Sequence, residues 1–229
     1  MLTKLKKFIR NILNKYFGVF FYRRYSYAQE GEDLVVERLL NGKQNGFYVE
    51  VGCHHPYRFS NTFLFYKKGW NGVCIDPLPG TKALFAKNRP RDVCIEMGVD
   101  EKFSHLTYYM FNEPALNTFD KDLAESRDGK KEYHIVDKTK VEVRPLADIL
   151  KNIKNIPNID ILSVDVEGLD LQVLKSNDWE KFAPRIIIAE CLTAELSIID
   201  ADPVAKFLSG LGYKIYAKTG NSIIFQHIL

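Results

Sequence analysis

Phe47-Tyr48-Val49-Glu50-Val51-Gly52 and Gly72-Val73-Cys74-Ile75-Asp76 are the two stretches that decide the fold. Both are short, almost wholly apolar runs, and a helical pattern over residues 61–68 lies between them. Strands that are apolar on both faces are typical of a parallel sheet covered by helices. The two stretches therefore predict strand–helix repetition in an α/β fold.

The same pattern continues along the chain. Apolar runs over residues 93–97, 159–164 and 185–189 predict further parallel strands, and helical patterns lie between them. Residues 213–217 and 222–227 predict a closing antiparallel hairpin, since Gly220 and Asn221 suit its turn. A chain of 229 residues is long enough for one such domain and too short for two.

One segment interrupts this alternation. Residues 101–140 hold a predicted strand at 106–111 and then the polar, charge-rich stretch 112–140. Loops of this length in a compact domain are usually functional lids or partly disordered. We expect an insertion over about 101–140 that covers the active site.

The first 25 residues predict a separate basic amphipathic helix, followed by the main domain over 26–229. Residues 1–29 carry seven basic side chains and no acidic one, so the rest holds 25 basic and 29 acidic groups. Apolar residues recur at helical spacing between the lysines, which favours either an anionic membrane surface or packing on the domain or a second subunit. The slightly acidic body excludes a nucleic-acid footprint on the fold itself.

The cysteines and the basic N-terminal helix (the head, residues 1–25) bear on where in the cell the protein is located. None of the four cysteines forms a Cys-x-x-Cys pair, and each sits in or beside an apolar run, which is typical of buried thiols in a cytoplasmic protein. The head has neither a long uncharged stretch nor a cleavage site for a signal peptide. We expect a cytoplasmic protein, or one that is peripheral at the inner membrane surface.

The ends of the predicted strands carry the chemistry, because ligands of α/β sheets bind at the carboxyl ends of the strands. Gly52 ends the first strand and permits close approach to the backbone, and Asp76 ends the second and can accept both hydroxyls of a ribose. Met97-Gly98-Val99 offers an apolar wall for adenine, and acidic residues end the next two strands at Asp165 and Glu190.

The strand ends do not carry phosphate-binding motifs. Gly52 is followed by Cys53-His54-His55-Pro56, so G-x-G-x-x-G is absent, and G-x-x-x-x-G-K-[ST] occurs nowhere. A cofactor with a ribose and no phosphates fits better, and S-adenosylmethionine is the common one.

Several of these stretches together resemble the FkbM family of methyltransferases. The stretches are Ser26-Tyr27-Ala28-Gln29-Glu30-Gly31-Glu32-Asp33, Phe47-Tyr48-Val49-Glu50-Val51-Gly52, Ser60-Asn61-Thr62 and Val164-Asp165-Val166-Glu167-Gly168. The resemblance implies a Rossmann-like class I methyltransferase fold, with a mostly parallel seven-stranded sheet and helices on both faces. It also implies S-adenosylmethionine as cofactor and methylation of hydroxyls on sugars or natural products. His54-His55-Pro56 stands where many members have small residues and another glycine.

The resemblance also implies roles for individual residues. Glu50, Gly52 and Ser60-Asn61-Thr62 would hold the methionine end, and Asp76 the ribose. Gly98 and Val99 would neighbour the adenine, and Asp165 would sit beside the transferring methyl group. Gln29 and Pro77 complete the cofactor contacts that we expect.

The catalytic assignment rests on Asp165, His54 and Glu167. Asp165 is the first candidate for the base or for orienting the acceptor, and His54 is the second because its usual pKa lies near neutral pH. Asp165, Glu167 and Glu190 come from neighbouring strand ends, and carboxylates so placed can hold Mg²⁺. Asp165 and Glu190 are the predicted ligands if a metal takes part, as the alternative to the base mechanism.

Two other classes of function remain open at this level. An NAD-dependent dehydrogenase would use a similar sheet, but the chain lacks G-x-G-x-x-G and a Tyr-x-x-x-Lys element in its second half. A non-catalytic Rossmann-like module with a docking head would bind no cofactor. The predicted partner of the enzyme is a small-molecule or glycan acceptor.

The membrane alternative for the head is testable by deletion. Removing residues 1–24 should leave folding intact and reduce co-sedimentation with anionic vesicles. Salt should act similarly, because lysine attraction is screened over roughly 10 Å at 0.1 M ionic strength. Co-sedimentation that is unchanged by the deletion would leave only the packing role.

Overall fold

The computed structural model of the protein describes residues 6, 7, 10, 12, 13, 15, 18, 23–192 and 196–228. The described residues between 6 and 18 are helical, and their lysine and arginine side chains are exposed. The other residues of the predicted head helix between 1 and 22 lie outside the described residues. Within the described part of the chain, no helix has the length and apolar character needed to span a bilayer.

Ten strands and seven α-helices lie within the described residues. The strands are β1 (Phe47–Val51), β2 (Asn71–Asp76), β3 (Val93–Glu96), β4 (Gly98–Val99), β5 (Ser104–Phe111), β6 (Ile135–Arg144), β7 (Ile161–Val164), β8 (Ile186–Glu190), β9 (Tyr213–Lys218) and β10 (Ser222–His227). The helices are α1 (Glu32–Leu39), α2 (Phe63–Lys67), α3 (Thr81–Asn88), α4 (Lys121–Arg127), α5 (Leu146–Lys151), α6 (Asp170–Lys175) and α7 (Pro203–Gly210). Two 3₁₀ segments, Pro114–Leu116 and Leu196–Ala201, complete them.

The main sheet has seven strands in the order β3-β2-β1-β7-β8-β10-β9. The pairs from β3 to β8 are parallel, and β10 runs antiparallel to both of its neighbours. The predicted fold class is therefore confirmed, including the antiparallel hairpin at the C-terminus. The strand order reverses between β1 and β7, which is where an α/β sheet opens a crevice for a ligand.

Helices cover both faces of the sheet, and each face has its own apolar core. One core joins Val49, Val51 and Leu162 to residues of α5, α6 and α7. The other joins Tyr48, Cys74 and Ile188 to residues of α1, α2 and α3. Successive side chains of β1 therefore point to opposite faces, and Glu50 points to the face of Tyr48.

The insertion differs from the loop that the sequence predicts. The predicted strand is present as β5, but residues 135–144, predicted largely as loop, form the ten-residue strand β6. β6 pairs antiparallel with β5 and parallel with β4 in a second, three-stranded sheet. The sequence did not predict β6 as a strand because most of its residues are polar and exposed or half-buried, so that it shows no apolar run.

A buried ionic network underlies the β1–α2 loop. The Arg89 side chain is fully buried and donates from Nε to Asp92 at 2.6 Å, and its Nη1 lies 3.6 Å from the Glu50 carboxylate. Its Nη2 donates to the hydroxyls of Tyr48 and Thr62 at 2.9 and 2.8 Å. The guanidinium thus joins α3 to β1 and to the loop that follows it.

Replacing Arg89 tests how much this network contributes to the stability of the protein. Arg89→Met should lower the free energy of unfolding by about 3–5 kcal/mol, because Glu50 and Asp92 would stay buried without their cation. Urea unfolding measures the change. Lys121→Ala removes an exposed pair with Glu125 and is the control, for which we expect little change. An Arg89→Met protein as stable as the control would contradict this account.

Candidate active site

A cleft opens at the carboxyl ends of β1, β2 and β7, where the strand order reverses. Eight of the residues proposed from the sequence line it: Gln29, Gly52, His54, Asp76, Pro77, Val99, Asp165 and Glu167. Further walls come from Phe59, Ile75, Met97, Tyr108, residues 114–117, Phe119 and Leu169. The cleft therefore combines strand ends with one face of the insertion.

Asp76 ends β2 at the floor of the cleft and is only 4% exposed. Its Oδ2 accepts the N–H of His54 at 2.7 Å, and its Oδ1 accepts the N–H of Leu78 at 2.9 Å. Burial raises the pKa of this carboxyl to about 6, although the two hydrogen bonds oppose the shift. Asp76 is thus held rigidly, and the remaining lone pairs of its oxygens can accept ribose hydroxyls.

Gly52 makes the closest approach between two strand ends. Its φ is +79°, and a Cβ placed on it would lie 1.7 Å from the carbonyl oxygen of Asp165. No residue other than glycine fits there without moving the backbone. Gly52 therefore lets the ends of β1 and β7 meet beside the cleft.

Three residues proposed for the methionine end lie behind the cleft instead. The Glu50 carboxylate accepts the hydroxyls of Ser60 at 3.2 Å and Thr62 at 2.6 Å, and all three side chains are buried beside Arg89. None of them lines the cleft. This geometry assigns them to holding the β1–α2 loop, while their direct contact with a cofactor stays a prediction.

Two other predicted contacts also sit off the cleft. Asn61 donates to the Ser163 hydroxyl at 2.9 Å and lines a neighbouring cavity. Gly98 lies behind Phe119, since a Cβ on Gly98 would come within 2.7 Å of that ring. Gly98 therefore serves the cleft by letting Phe119 pack close to β4.

Asp165, Glu167 and Glu190 form an acidic cluster at the ends of β7 and β8. Each offers a carboxylate oxygen, and these oxygens all lie within 4.8 Å of one another. Burial and the negative charges of Glu190 and Glu167 raise the pKa of Asp165 well above its usual value. Burial likewise raises the pKa of Glu190 to about 8, so the cluster holds protons that isolated carboxyls would lose.

Arg127 of the insertion reaches into this cluster. Its Nη2 donates to Glu167 at 2.6 Å, and the Thr118 hydroxyl donates to the Glu167 carbonyl at 2.7 Å. Glu167 has a φ of +56°, which is rare for a residue with a side chain. The insertion therefore holds the turn after β7 in a strained conformation, as is common at functional sites.

His54 lies beside a cation, which distinguishes its surroundings from those of a solvent-exposed histidine. Its Nε2 lies 3.3 Å from Nη1 of Arg58, whose guanidinium makes two 2.9 Å hydrogen bonds to Glu113. Burial and the Arg58 charge lower the pKa of His54 to about 4. His54 is therefore neutral near pH 7, and the Arg58 guanidinium faces its Nε2.

A second cavity adjoins the cleft. The two share Gln29, Phe59, Leu116, Asp165 and Glu167. The second cavity adds Glu32, Asn61, Arg127, Glu190, Leu192, Asn221 and Ser222. Asp165 and Glu167 thus line both spaces.

The sequence alone did not identify the site residues that the insertion contributes. Tyr108, Leu116, Asn117, Phe119 and Arg127 line the two cavities, yet none carries a motif. The crowding of aromatic residues between 103 and 119 was the available signal, because a solvated loop has little use for them.

Comparison with known proteins identifies the family. The model of the Methyltransferase FkbM domain matches residues 50–215. The chain belongs to the FkbM methyltransferase family. It is an S-adenosylmethionine-dependent methyltransferase with the class I Rossmann-like fold. No curated protein sequence matches this methyltransferase.

Solved structures with a similar fold are distant in sequence. An O-methyltransferase from Bacillus cereus in complex with S-adenosylhomocysteine is 11% identical, with a TM-score of 0.43 and 95% of each chain covered. Precorrin-6y C5,15-methyltransferase from Geobacter metallireducens is 10% identical, with a TM-score of 0.42 and 84% of each chain covered. A TehB-like S-adenosylmethionine-dependent methyltransferase from Corynebacterium glutamicum is 8% identical, with a TM-score of 0.40, and covers 96% of this chain and 97% of that one.

The cleft of this methyltransferase fits its cofactor. Among the described residues, no lysine or arginine lines the cleft, whereas Asp76, Asp165 and Glu167 do. This charge suits a ribose and a sulfonium cation, and it disfavours the pyrophosphate of a dinucleotide. The apolar walls at Met97 and Val99 suit the adenine.

A substitution at Asp76 tests the ribose assignment. Asp76→Asn should weaken S-adenosylhomocysteine binding about tenfold to a hundredfold, because a charge-assisted hydrogen bond is lost. Calorimetry measures the affinity. Glu96→Gln is a matched control, since Glu96 also accepts two backbone N–H groups, those of Gly80 and Lys82, and lies outside the cleft. An equal loss in both variants would mean that loop structure, not ribose binding, is affected.

Proposed function

We propose that this methyltransferase methylates a hydroxyl group on a sugar, a glycan precursor or a natural product. The observation that carries the proposal is the position of Asp165, which lines both the cofactor cleft and the adjoining cavity. A carboxylate there can reach a hydroxyl in one space and the methyl group in the other. The raised pKa of Asp165 makes its ionised form a stronger base than the carboxylate of an ordinary aspartate.

The adjoining cavity has the chemistry of a hydroxyl-binding site. Carboxylates and carboxamides from Glu190, Gln29 and Asn221 offer acceptors, while Phe59 and Leu192 supply apolar surface. Its one arginine among the described residues, Arg127, is engaged by Glu167. These groups favour a methyl-accepting substrate that donates hydrogen bonds to the cavity and presents an apolar face, as a sugar ring does.

The reaction is an in-line displacement. Bound S-adenosylmethionine supplies a methyl group on a sulfonium, which leaves as a neutral thioether. Asp165, in its ionised form, takes the proton of the acceptor hydroxyl as the new O–C bond forms and the C–S bond breaks. Most of the acceleration comes from holding the two reactants in line, and the walls shared by the two cavities do this.

Asp165 is favoured over His54 and Glu167 as the base. The lowered pKa of His54 makes it a weak base, and the Arg58 guanidinium faces its Nε2. Burial raises the pKa of Glu167, but its ion pair with Arg127 opposes the rise and occupies the carboxylate. Asp165 has no such cation beside it among the groups that shift its pKa.

A metal-assisted form of the same reaction is the second candidate. The carboxylate oxygens of Asp165, Glu167 and Glu190 lie close enough together for one ion to bridge them. We propose Asp165 and Glu190 as the ligands of Mg²⁺, because Glu167 already has a cation in Arg127. The ion would lower the pKa of the acceptor hydroxyl and reduce the need for a separate base.

Substitution of Asp165 tests both forms. Asp165→Asn should lower kcat by about 10²–10⁴ and leave S-adenosylhomocysteine affinity nearly unchanged, because the lost charge acts chiefly on the acceptor. S-adenosylhomocysteine release with a panel of sugars and hydroxylated small molecules measures turnover. Near-normal turnover of Asp165→Asn would overturn the assignment of the active centre.

Chelation separates the two mechanisms. If a metal is required, EDTA should stop turnover, Mg²⁺ should restore it, and Glu190→Gln should behave like Asp165→Asn. Full activity in EDTA would eliminate the metal and leave Asp165 as the base. His54→Gln is the control variant for the competing base and should keep most of the activity.

A further inference from the structure

The middle residue of Ser60-Asn61-Thr62 contacts a different strand from its two neighbours. The Ser60 and Thr62 hydroxyls donate to Glu50 of β1 at 3.2 and 2.6 Å. The Asn61 amide instead donates from Nδ2 to the hydroxyl of Ser163 on β7, at 2.9 Å. Glu50 and Ser163 are register partners in the parallel pair of β1 and β7, so the tripeptide lies across two strands.

The neighbours of Asn61 fix its position. The Ser60 Oγ accepts the backbone N–H groups of Thr62 and Phe63 at 3.3 and 3.1 Å, and the Thr62 hydroxyl accepts Nη2 of Arg89 at 2.8 Å. Asn61 itself is 7% exposed. The buried network around Arg89 therefore places Asn61, while the Asn61 amide bonds to another part of the sheet.

The Asn61 amide is hydrogen-bonded at one end only. Its Nδ2 donates to Ser163, and its Oδ1 has no partner among the described residues. Buried side-chain atoms that lack a partner in the described chain are Trp70 Nε1, Asn117 Nδ2, Asp170 Oδ1 and Asn177 Oδ1. The Asn61 Oδ1 is not one of them, so this oxygen keeps accessible surface although the residue is almost wholly buried.

The accessible oxygen opens onto the cavity that adjoins the cofactor cleft. Asn61 lines that cavity and does not line the cleft. Ser163 lies two positions before Asp165, and the pairing with β1 continues through the Asp165 N–H, which donates to the Val51 carbonyl at 3.0 Å. Side chains two positions apart leave a strand on the same face. The Asn61 amide and the Asp165 carboxylate therefore belong to one wall of the cavity.

The chemistry of this wall selects for hydrogen-bond donors. An amide oxygen accepts hydrogen bonds and cannot donate them. Asp165 and Glu190, which line the same cavity, also offer carboxylate oxygens. A ligand of the cavity must present several donors, as a molecule with more than one hydroxyl group does.

We propose that Asn61 binds the methyl-accepting substrate, with its Oδ1 accepting a hydrogen bond from a hydroxyl other than the one that is methylated. This inference rests on the proposed function, because it places the acceptor in the adjoining cavity. The acceptor is then a polyol, with one hydroxyl at Asp165 and a second at Asn61. Asn61 passes from the methionine end of the cofactor, which the sequence implied, to the acceptor.

The test measures cofactor and acceptor binding separately in Asn61→Ala and in the wild type. Calorimetry gives the affinity for S-adenosylhomocysteine, and initial rates with the best acceptor from a panel of sugars and hydroxylated small molecules give KM and kcat. We expect Asn61→Ala to raise the acceptor KM about three- to tenfold, because one hydrogen bond is lost, and to leave S-adenosylhomocysteine affinity unchanged.

Monodeoxy derivatives of that acceptor identify the contacted hydroxyl. One derivative should have a raised KM with the wild type, and Asn61→Ala should raise it no further, since the hydrogen bond is already absent. A general disturbance of the loop would instead raise the KM of every derivative alike. If Asn61→Ala does not fold, the derivatives still decide with the wild type, and the absence of any raised KM overturns the inference.

Asn177→Ala is the matched control. Asn177 is 9% exposed, its Nδ2 donates to the Phe182 carbonyl at 3.2 Å, and its Oδ1 is unpaired and buried. Asn177 lines neither the cleft nor the adjoining cavity. Its substitution removes a buried amide as that of Asn61 does, and it should leave the acceptor KM unchanged.

The results that oppose the inference differ from those that oppose the proposed function. An unchanged acceptor KM in Asn61→Ala overturns the inference alone. Weaker S-adenosylhomocysteine binding with a normal acceptor KM also overturns it and returns Asn61 to the methionine end. A panel in which no hydroxyl compound is methylated removes the proposed function, and this inference falls with it.

Discussion

The buried guanidinium of Arg89 is the interaction on which the site depends. Removed from water, it is stable only because Asp92 and Glu50 lie beside it and hydroxyls accept its remaining N–H groups. The same groups bind the β1–α2 loop, through the Ser60 and Thr62 hydroxyls and the Pro56 carbonyl. That loop carries His54 and Phe59 into the cleft, so one buried charge below the sheet determines the shape of the site above it.

Charge is organised differently at the other strand ends. Around Arg89 the cation lies between two carboxylates, whereas at the ends of β7 and β8 only one of three clustered carboxylates, Glu167, forms an ion pair with Arg127 among the described residues. Burial and the surplus of negative charge raise the pKa values of Asp165 and Glu190, and such shifts cluster at functional sites because they prepare groups for proton transfer or ion binding. Negative charge is thus neutralised in the network around Arg89 and left in excess at the ends of β7 and β8.

The insertion adds side chains to the strand ends of the main sheet and so completes the walls of the site. Tyr108 of its strand β5 and Phe119, which follows the 3₁₀ segment Pro114–Leu116, line the cleft, and its helix α4 brings Arg127 to Glu167. Through Thr118 and Arg127 it also holds the strained turn after β7. The aromatic wall of the cleft and the acidic cluster are therefore supported by the same segment.

The sequence by itself determined the α/β class, the strands of the main sheet and the acidic residues at their ends. These features are local, since apolar runs and the residues that end them are contiguous in the chain. It did not determine that β6 is a strand, because the exposed polar residues of β6 pair with a strand about thirty positions away. It also did not determine that the Glu50 side chain lies on the face of the sheet where Arg89 is buried. Only the tertiary structure brought Asn117 and Arg127 to the strand ends, because contacts between distant segments leave no periodic or spacing signal in a single chain.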